Sequence, residues 1–168
     1  MNYDFDKLFI YGFPALYGGA GTELHHQIIA WQQMKLDIHI IPTQAGYEQE
    51  ALYQEMLDRG VTVHEMNDWS VIEQGDPIMG FCNAEFLEHL TEVHTLTKRT
   101  IFINCMTWLF DKEIERMAEG KIGMFLYQNE AVRQKNMPEL RKYNDDDKIK
   151  FLIINLAWLK DLFFEFLK

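Results

Sequence analysis

The chain reads as an α/β protein: a Rossmann-like three-layer sandwich around a mostly parallel sheet of about seven strands. Three observations point there. Short apolar runs alternate with helical patterns of roughly 10–15 residues along the chain, as parallel strands joined by right-handed crossover helices require. Several runs are apolar at nearly every position, as a strand must be when helices cover both faces of its sheet. A glycine-rich stretch follows the first run and leads into the first helical pattern.

The elements follow in order. Lys7 to Phe13 is a compact apolar run suited to a buried strand, and Ala15 to Gly21 is a glycine-rich turn. A helix follows, with Leu24, Ile28, Trp31 and Met34 spaced to share one face. Asp37 to Pro42 is the second strand, Glu48 to Arg59 a helix stopped by Gly60, and Val61 to Met66 the third strand. Asp68 to Gly75 reads as a turn or short helical piece before a fourth strand, Pro77 to Cys82. Ala84 to Lys98 is a helix with Phe86, Leu90, Val93 and Thr97 on one side, and Thr100 to Cys105 is the fifth strand. Asp111 to Glu119 is a short helix ended by Gly120, and Lys121 to Tyr127 is the sixth strand. Glu130 to Tyr143 is helical, with an interruption expected at Pro138, which has no N–H to donate. Lys148 to Ile154 is the seventh strand, and Leu156 to Lys168 a helical, apolar tail. Residues 1–155 thus form one domain, and 156–168 a separate apolar helix.

Composition narrows the class. The 168 residues carry 16 Lys+Arg against 26 Asp+Glu, a formal net charge of −10. That balance argues against a nucleic-acid partner, whose phosphates need a basic footprint. A content of 48% hydrophobic and 14% aromatic residues excludes a disordered chain. No apolar run approaches the roughly 20 residues of a membrane span. Met1 to Asp6 lacks the basic and apolar regions of a signal peptide, and Cys82 and Cys105 are too few for a disulfide framework, so the expected compartment is the reducing cytoplasm.

In an open parallel sheet, ligands bind beyond the carboxyl ends of the strands, so the residues after each run are the candidates. The foremost is Gly18-Gly19-Ala20-Gly21-Thr22-Glu23, whose small residues let backbone N–H groups approach a ligand at a helix N-terminus. The same glycines also serve a tight turn and close helix–strand packing, and the sequence leaves both open. No lysine follows them as a P-loop needs, and Glu23-Leu24 stands where a dinucleotide fingerprint has its third glycine. The second strand ends in Ile41-Pro42-Thr43 without a ribose-binding acid, which disfavours a nicotinamide enzyme. Asn83, Asn104 and Asn129 stand at or just beyond the ends of the fourth, fifth and sixth runs. A Gly-x-Ser-x-Gly nucleophile elbow is absent.

From Phe13-Pro14-Ala15-Leu16-Tyr17-Gly18-Gly19-Ala20-Gly21-Thr22-Glu23 through a helix to Asp37-Ile38-His39-Ile40-Ile41, the chain resembles the start of a GT-B glycosyltransferase. The likeness is closest to the retaining, family 4-like group that uses nucleotide-sugar donors. Lys35-Leu36-Asp37 replaces that group's usual glycine-led turn, and Ile153-Ile154-Asn155 resembles the I-P-N that closes its N-terminal domain. The resemblance implies a GT-B N-terminal, acceptor-side domain and a hexose passing from a nucleotide-diphosphate sugar to a hydroxyl acceptor. It implies no metal and no cofactor, and an activity that depends on a donor-binding C-terminal domain not contained in these residues. Carried across, Gly18, Gly19 and Gly21 lie against the diphosphate or the transferred sugar, and Thr22 begins the helix; Asn83 and Asn129 join them as binding candidates. Many relatives have a histidine after the fifth strand. Here Asn104-Cys105-Met106-Thr107-Trp108 stands instead, leaving Asn104 as the catalytic and binding candidate.

The remaining polar clusters read as structural. Asp145-Asp146-Asp147 precedes its strand, on the wrong edge of the sheet for a metal-binding D-x-D, and reads as a solvated loop. His25 and His26 point about 100° apart on a helix and cannot pair at i,i+4 on one metal. His89 and His94 are likewise mismatched for one face. Cys82 and Cys105 read as buried, unreactive thiols. The apolar stripe Leu156, Leu159, Leu162, Phe163, Phe166 and Leu167 suits a helix docked on the sheet, a linker remnant, or a contact for a homo-oligomer or partner domain. It underlies the alternative reading of a non-catalytic binding or assembly module.

Overall fold

The computed structural model describes residues 6–143 and 150–153. Its elements are β1 (Lys7–Tyr11), α1 (Gly19–Gln33), β2 (Asp37–Ile41), α2 (Tyr53–Asp58), β3 (Thr62–Val63), β4 (Ile78–Phe81), α3 (Ala84–Leu96), β5 (Thr100–Asn104), α4 (Asp111–Ala118), β6 (Met124–Tyr127), α5 (Glu130–Leu140) and β7 (Lys150–Ile153). The strands lie in the order β3-β2-β1-β4-β5-β6-β7, and every pairing is parallel. This is the Rossmann-like order, in which the chain winds outward from β1 in one direction and then returns to wind in the other.

Both faces of the sheet are covered. Leu24, Ile28 and Trp31 of α1 and Met56 of α2 pack on Leu8, Ile10, Ile38, Ile40, Met79 and Phe81. Phe86, Leu87, Leu90 and Val93 of α3, Met117 of α4 and Leu140 of α5 pack on Phe9, Tyr11, Phe102, Phe125 and Tyr127. The double covering explains why β4 and β6 are apolar along their length, and β1 and β5 through their central residues. The expected α1 stripe holds, with Met34 at the helix end packed against the same core.

Four expectations are corrected. About seven strands are expected, the third over Val61–Met66; among the described residues six have four or five residues, and the third shrinks to the edge pair Thr62–Val63. The chain must leave the sheet there to return to β4. Asn67 turns it with a left-handed φ of 55°, and the Tyr11 hydroxyl donates to Asn67 Oδ1 at 2.7 Å. The helix expected over Glu48–Arg59 splits into a 3₁₀ turn, Tyr47–Gln49, and α2, with Glu50 extended between them. That break brings the rings of Tyr47 and Tyr53 each 6.3 Å from Phe13. The turn expected over Ala15–Gly21 is shorter, because Gly19, Ala20 and Gly21 already form the first turn of α1. The last helix runs through Pro138 to Leu140 and only then tightens into a 3₁₀ turn, Arg141–Tyr143. Asp145–Asp147 and the tail 156–168 lie outside the described residues, as do the last two residues of the Ile153–Asn155 motif. Among the described residues no helix is long and apolar enough to cross a membrane.

Gly80 sets how closely α3 lies on the sheet. A Cβ there would sit 2.2 Å from Phe86 Cδ1 and 2.8 Å from its Cβ, so the ring occupies the space a side chain would need. Replacing Gly80 with alanine is expected to destabilise the fold by about 1–3 kcal/mol through overpacking. Urea denaturation checks this, and the loss is expected to shrink when Phe86 is also shortened to alanine, because the two changes share one contact.

Candidate functional site

The winding reverses between β1 and β4, and the carboxyl ends of those strands open onto a crevice of about 400 Å³. Its lining includes Gly12, Gly21, Thr43, Cys82, Asn83 and Glu85. A recess of about 180 Å³ shares Phe13 and Thr43 with it and continues to Tyr47. A depression of about 440 Å³ lies at the opposite edge, around Lys35 and Arg59. The crevice is the stronger candidate, because there the connecting loops diverge to opposite faces and leave a gap between them.

Asn83 builds the crevice floor. It is the N-cap of α3: its Oδ1 accepts from the N–H groups of Glu85 at 3.0 Å and Phe86 at 3.4 Å. Its Nδ2 donates to the carbonyl of Tyr11 at 3.2 Å, so one amide ties the end of β1 to the start of the helix after β4. Across the gap, Gly18 caps α1 with a φ of 78° and offers no side chain to the first-turn amides. Gly21 must be glycine, since a Cβ would come within 2.9 Å of the Ala15 Cβ. The uncapped helix start carries partial positive charge toward the crevice rim, where it suits an anion or a ring of hydroxyls.

The expected site residues therefore divide. Gly18, Gly19, Gly21 and Thr22 lie at the start of α1, and Gly21 and Asn83 line the crevice. Asn129 is exposed two strands away, where its Oδ1 caps α5 by accepting from Val132 N–H at 2.9 Å. Asn104 is 1% exposed and its amide is committed inward. Its Nδ2 lies 2.9 Å from both carboxylate oxygens of Glu113 and 3.0 Å from the Trp108 carbonyl, and its Oδ1 accepts from Met106 N–H at 2.6 Å. With both ends of the amide engaged, Asn104 organises the loop after β5.

Several other residues are of note, some of them not singled out in the sequence. Thr43, Glu85 and Gly12 line the crevice although no motif marks them. Glu113 is fully buried, which a glutamate at the third position of a helix does not announce, since the same pattern is ordinary helix capping. His25 Nε2 lies 3.0 Å from Glu55 Oε1 and joins α1 to α2, as a packing histidine would. Histidines 39 and 64 meet at 2.9 Å near the β3 edge of the sheet.

Burial pushes the Glu113 carboxyl up to about 7, against the pull of hydrogen bonds from the Phe110 N–H and the Asn104 amide. The folded protein then holds a proton that the unfolded chain releases near 4.5, so the folded state binds more protons across that window. Stability is expected to fall as pH rises from about 4.5 to 7. Comparing chemical denaturation of the parent and Glu113→Gln at pH 5 and pH 8 checks this. The parent is expected to lose about 2 kcal/mol more than the variant over that span.

The described fold and crevice define a Rossmann-like α/β domain with a ligand-sized opening at its switch point. Beyond that class, no protein-family model, no curated protein and no solved structure matches the chain.

Proposed function

We propose that this domain is the acceptor-side half of a GT-B-type, family 4-like glycosyltransferase, in which a hexose passes from a nucleotide-diphosphate sugar to a hydroxyl acceptor. The observation that carries the reading is the Gly18–Thr22 segment opening α1 at the rim of the switch-point crevice, with Gly21 in its lining. Loop order, glycine placement and an all-parallel sheet agree with that lineage.

The crevice chemistry suits an acceptor. Of its polar side chains, Thr43 and Glu85 can exchange hydrogen bonds with sugar hydroxyls, while Asn83 braces the floor and Phe13, Leu24 and Phe81 offer apolar surface to a ring face. Among the described residues no lysine or arginine lines it, so in this reading the charge of a diphosphate is met by backbone amides and by basic groups of a second domain. The work of this half is positioning: it holds the acceptor hydroxyl near the bridge between β1 and α3.

Saturation-transfer NMR of the chain with a panel of oligosaccharides, and separately with nucleotide-diphosphate hexoses, tests the reading. Saccharide binding is expected, weakened about threefold to tenfold by Thr43→Val through loss of one hydrogen bond. Negligible hexose transfer is expected from this chain alone. Robust turnover by it alone, or saccharide binding indifferent to Thr43→Val, would overturn the assignment.

A further inference from the structure

Cys82 and Cys105 follow directly on β4 and β5, which pair with Phe81 opposite Ile103. The Cys82 N–H continues that ladder to the Ile103 carbonyl at 2.8 Å, so Cys105 stands one residue beyond the position opposite Cys82. Strict alternation would send the two side chains to opposite faces, because Phe81 and Ile103 already share one. Cys82 breaks the alternation. Its φ of 47° is left-handed, uncommon for a residue with a Cβ, and both cysteines pack against the α1-side core. Both thiols thus lie on the same side of the sheet, at the ends of two directly paired strands. Neighbouring strands run about 4.8 Å apart, so a one-residue offset keeps the Cα atoms inside the roughly 4.4–6.8 Å that a disulfide spans.

The two thiols are not equivalent. Cys82 lines the crevice, and hydrogen bonds from Cys105 hold its thiol well below the usual range. Cys105 is pushed up, by the Cys82 thiol first, then by burial, with Glu23 and Glu113 adding to the effect. A left-handed backbone at a crevice-lining thiol, with a second, less reactive thiol at the end of the adjacent strand, suits an attacking cysteine and a resolving one.

We propose that Cys82 and Cys105 are a redox-active dithiol pair at the crevice, with a small-molecule disulfide such as oxidised glutathione as co-reactant. The Cys82 thiolate attacks one sulfur of that disulfide, and the other sulfur leaves as a thiolate that takes up the proton Cys82 gave up. Cys105 then attacks Cys82 Sγ, and the second small thiol leaves as a thiolate that takes up the proton Cys105 gives up. Two protein thiols are oxidised to one disulfide, and one small disulfide is reduced to two thiols. The bond would join β4 to β5 beside Asn83 and so couple the crevice floor to the thiol state. This inference is independent of the glycosyltransferase reading.

The test exposes the folded full chain to oxidised glutathione at pH 8 and follows intact mass with peptide mapping. The parent is expected to lose two hydrogens and retain no adduct, whereas Cys105→Ser is expected to retain one glutathione, on Cys82. Cys82→Ser is expected to react at least about tenfold more slowly than the parent. Brief labelling of the parent with N-ethylmaleimide needs no variant and is expected to mark Cys82 first. Adducts on both cysteines without a crosslink, first labelling at Cys105, or reaction only after unfolding in urea would each overturn the proposal.

Discussion

The contact between Gly80 and Phe86 governs the geometry on which the crevice depends. Because β4 has no side chain at that position, the first turn of α3 lies directly on the sheet. At that height the N-cap Asn83 reaches the carbonyl of Tyr11 while holding the Glu85 and Phe86 amides. A larger residue at 80 would lift the helix and open the bridge between the two halves of the sheet. Packing in the core is thus continuous with the shape of the opening at the rim.

A second constraint acts one strand further along. Glu113 reaches back from α4 to accept from the Phe110 N–H at 2.9 Å and from Asn104, which in turn engages Met106 and Trp108. These bonds fold the segment between β5 and α4 upon itself. A buried carboxyl group is costly unless it is satisfied or protonated, and here both devices operate. Cys105 sits inside this braced segment, so a change at its sulfur would be felt by a rigid neighbour.

Much of the fold was legible in the sequence because both its periodicities are local. The apolar runs at Lys7–Tyr11 and Thr100–Asn104, and the stripe Leu24, Ile28, Trp31, state which elements form and which faces are buried. Gly80, a glycine inside an apolar run, was a signal of close backbone approach that the pattern alone did not interpret. The candidate site was half legible. Glycines 18, 19 and 21 advertise a strand-to-helix turn, whereas Thr43 and Glu85 carry no local mark and join the crevice only through the sheet order. Asn104 was recognisable as a polar residue ending a strand, but the direction of its amide depends on Glu113, nine residues away on another element.

The sequence by itself determined the alternation of strand and helix, the burial of both sheet faces, and the small residues at the first helix start, since each is written in spacing along the chain. Only the tertiary structure decided where the winding reverses, that Asn83 bridges β1 to α3, that the third strand shrinks to two residues, and that Cys82 turns to the face Cys105 shares. The physical reason is range. Periodicity records what a residue does relative to its own helix or strand, whereas these four features are contacts and turns settled between elements distant in the chain.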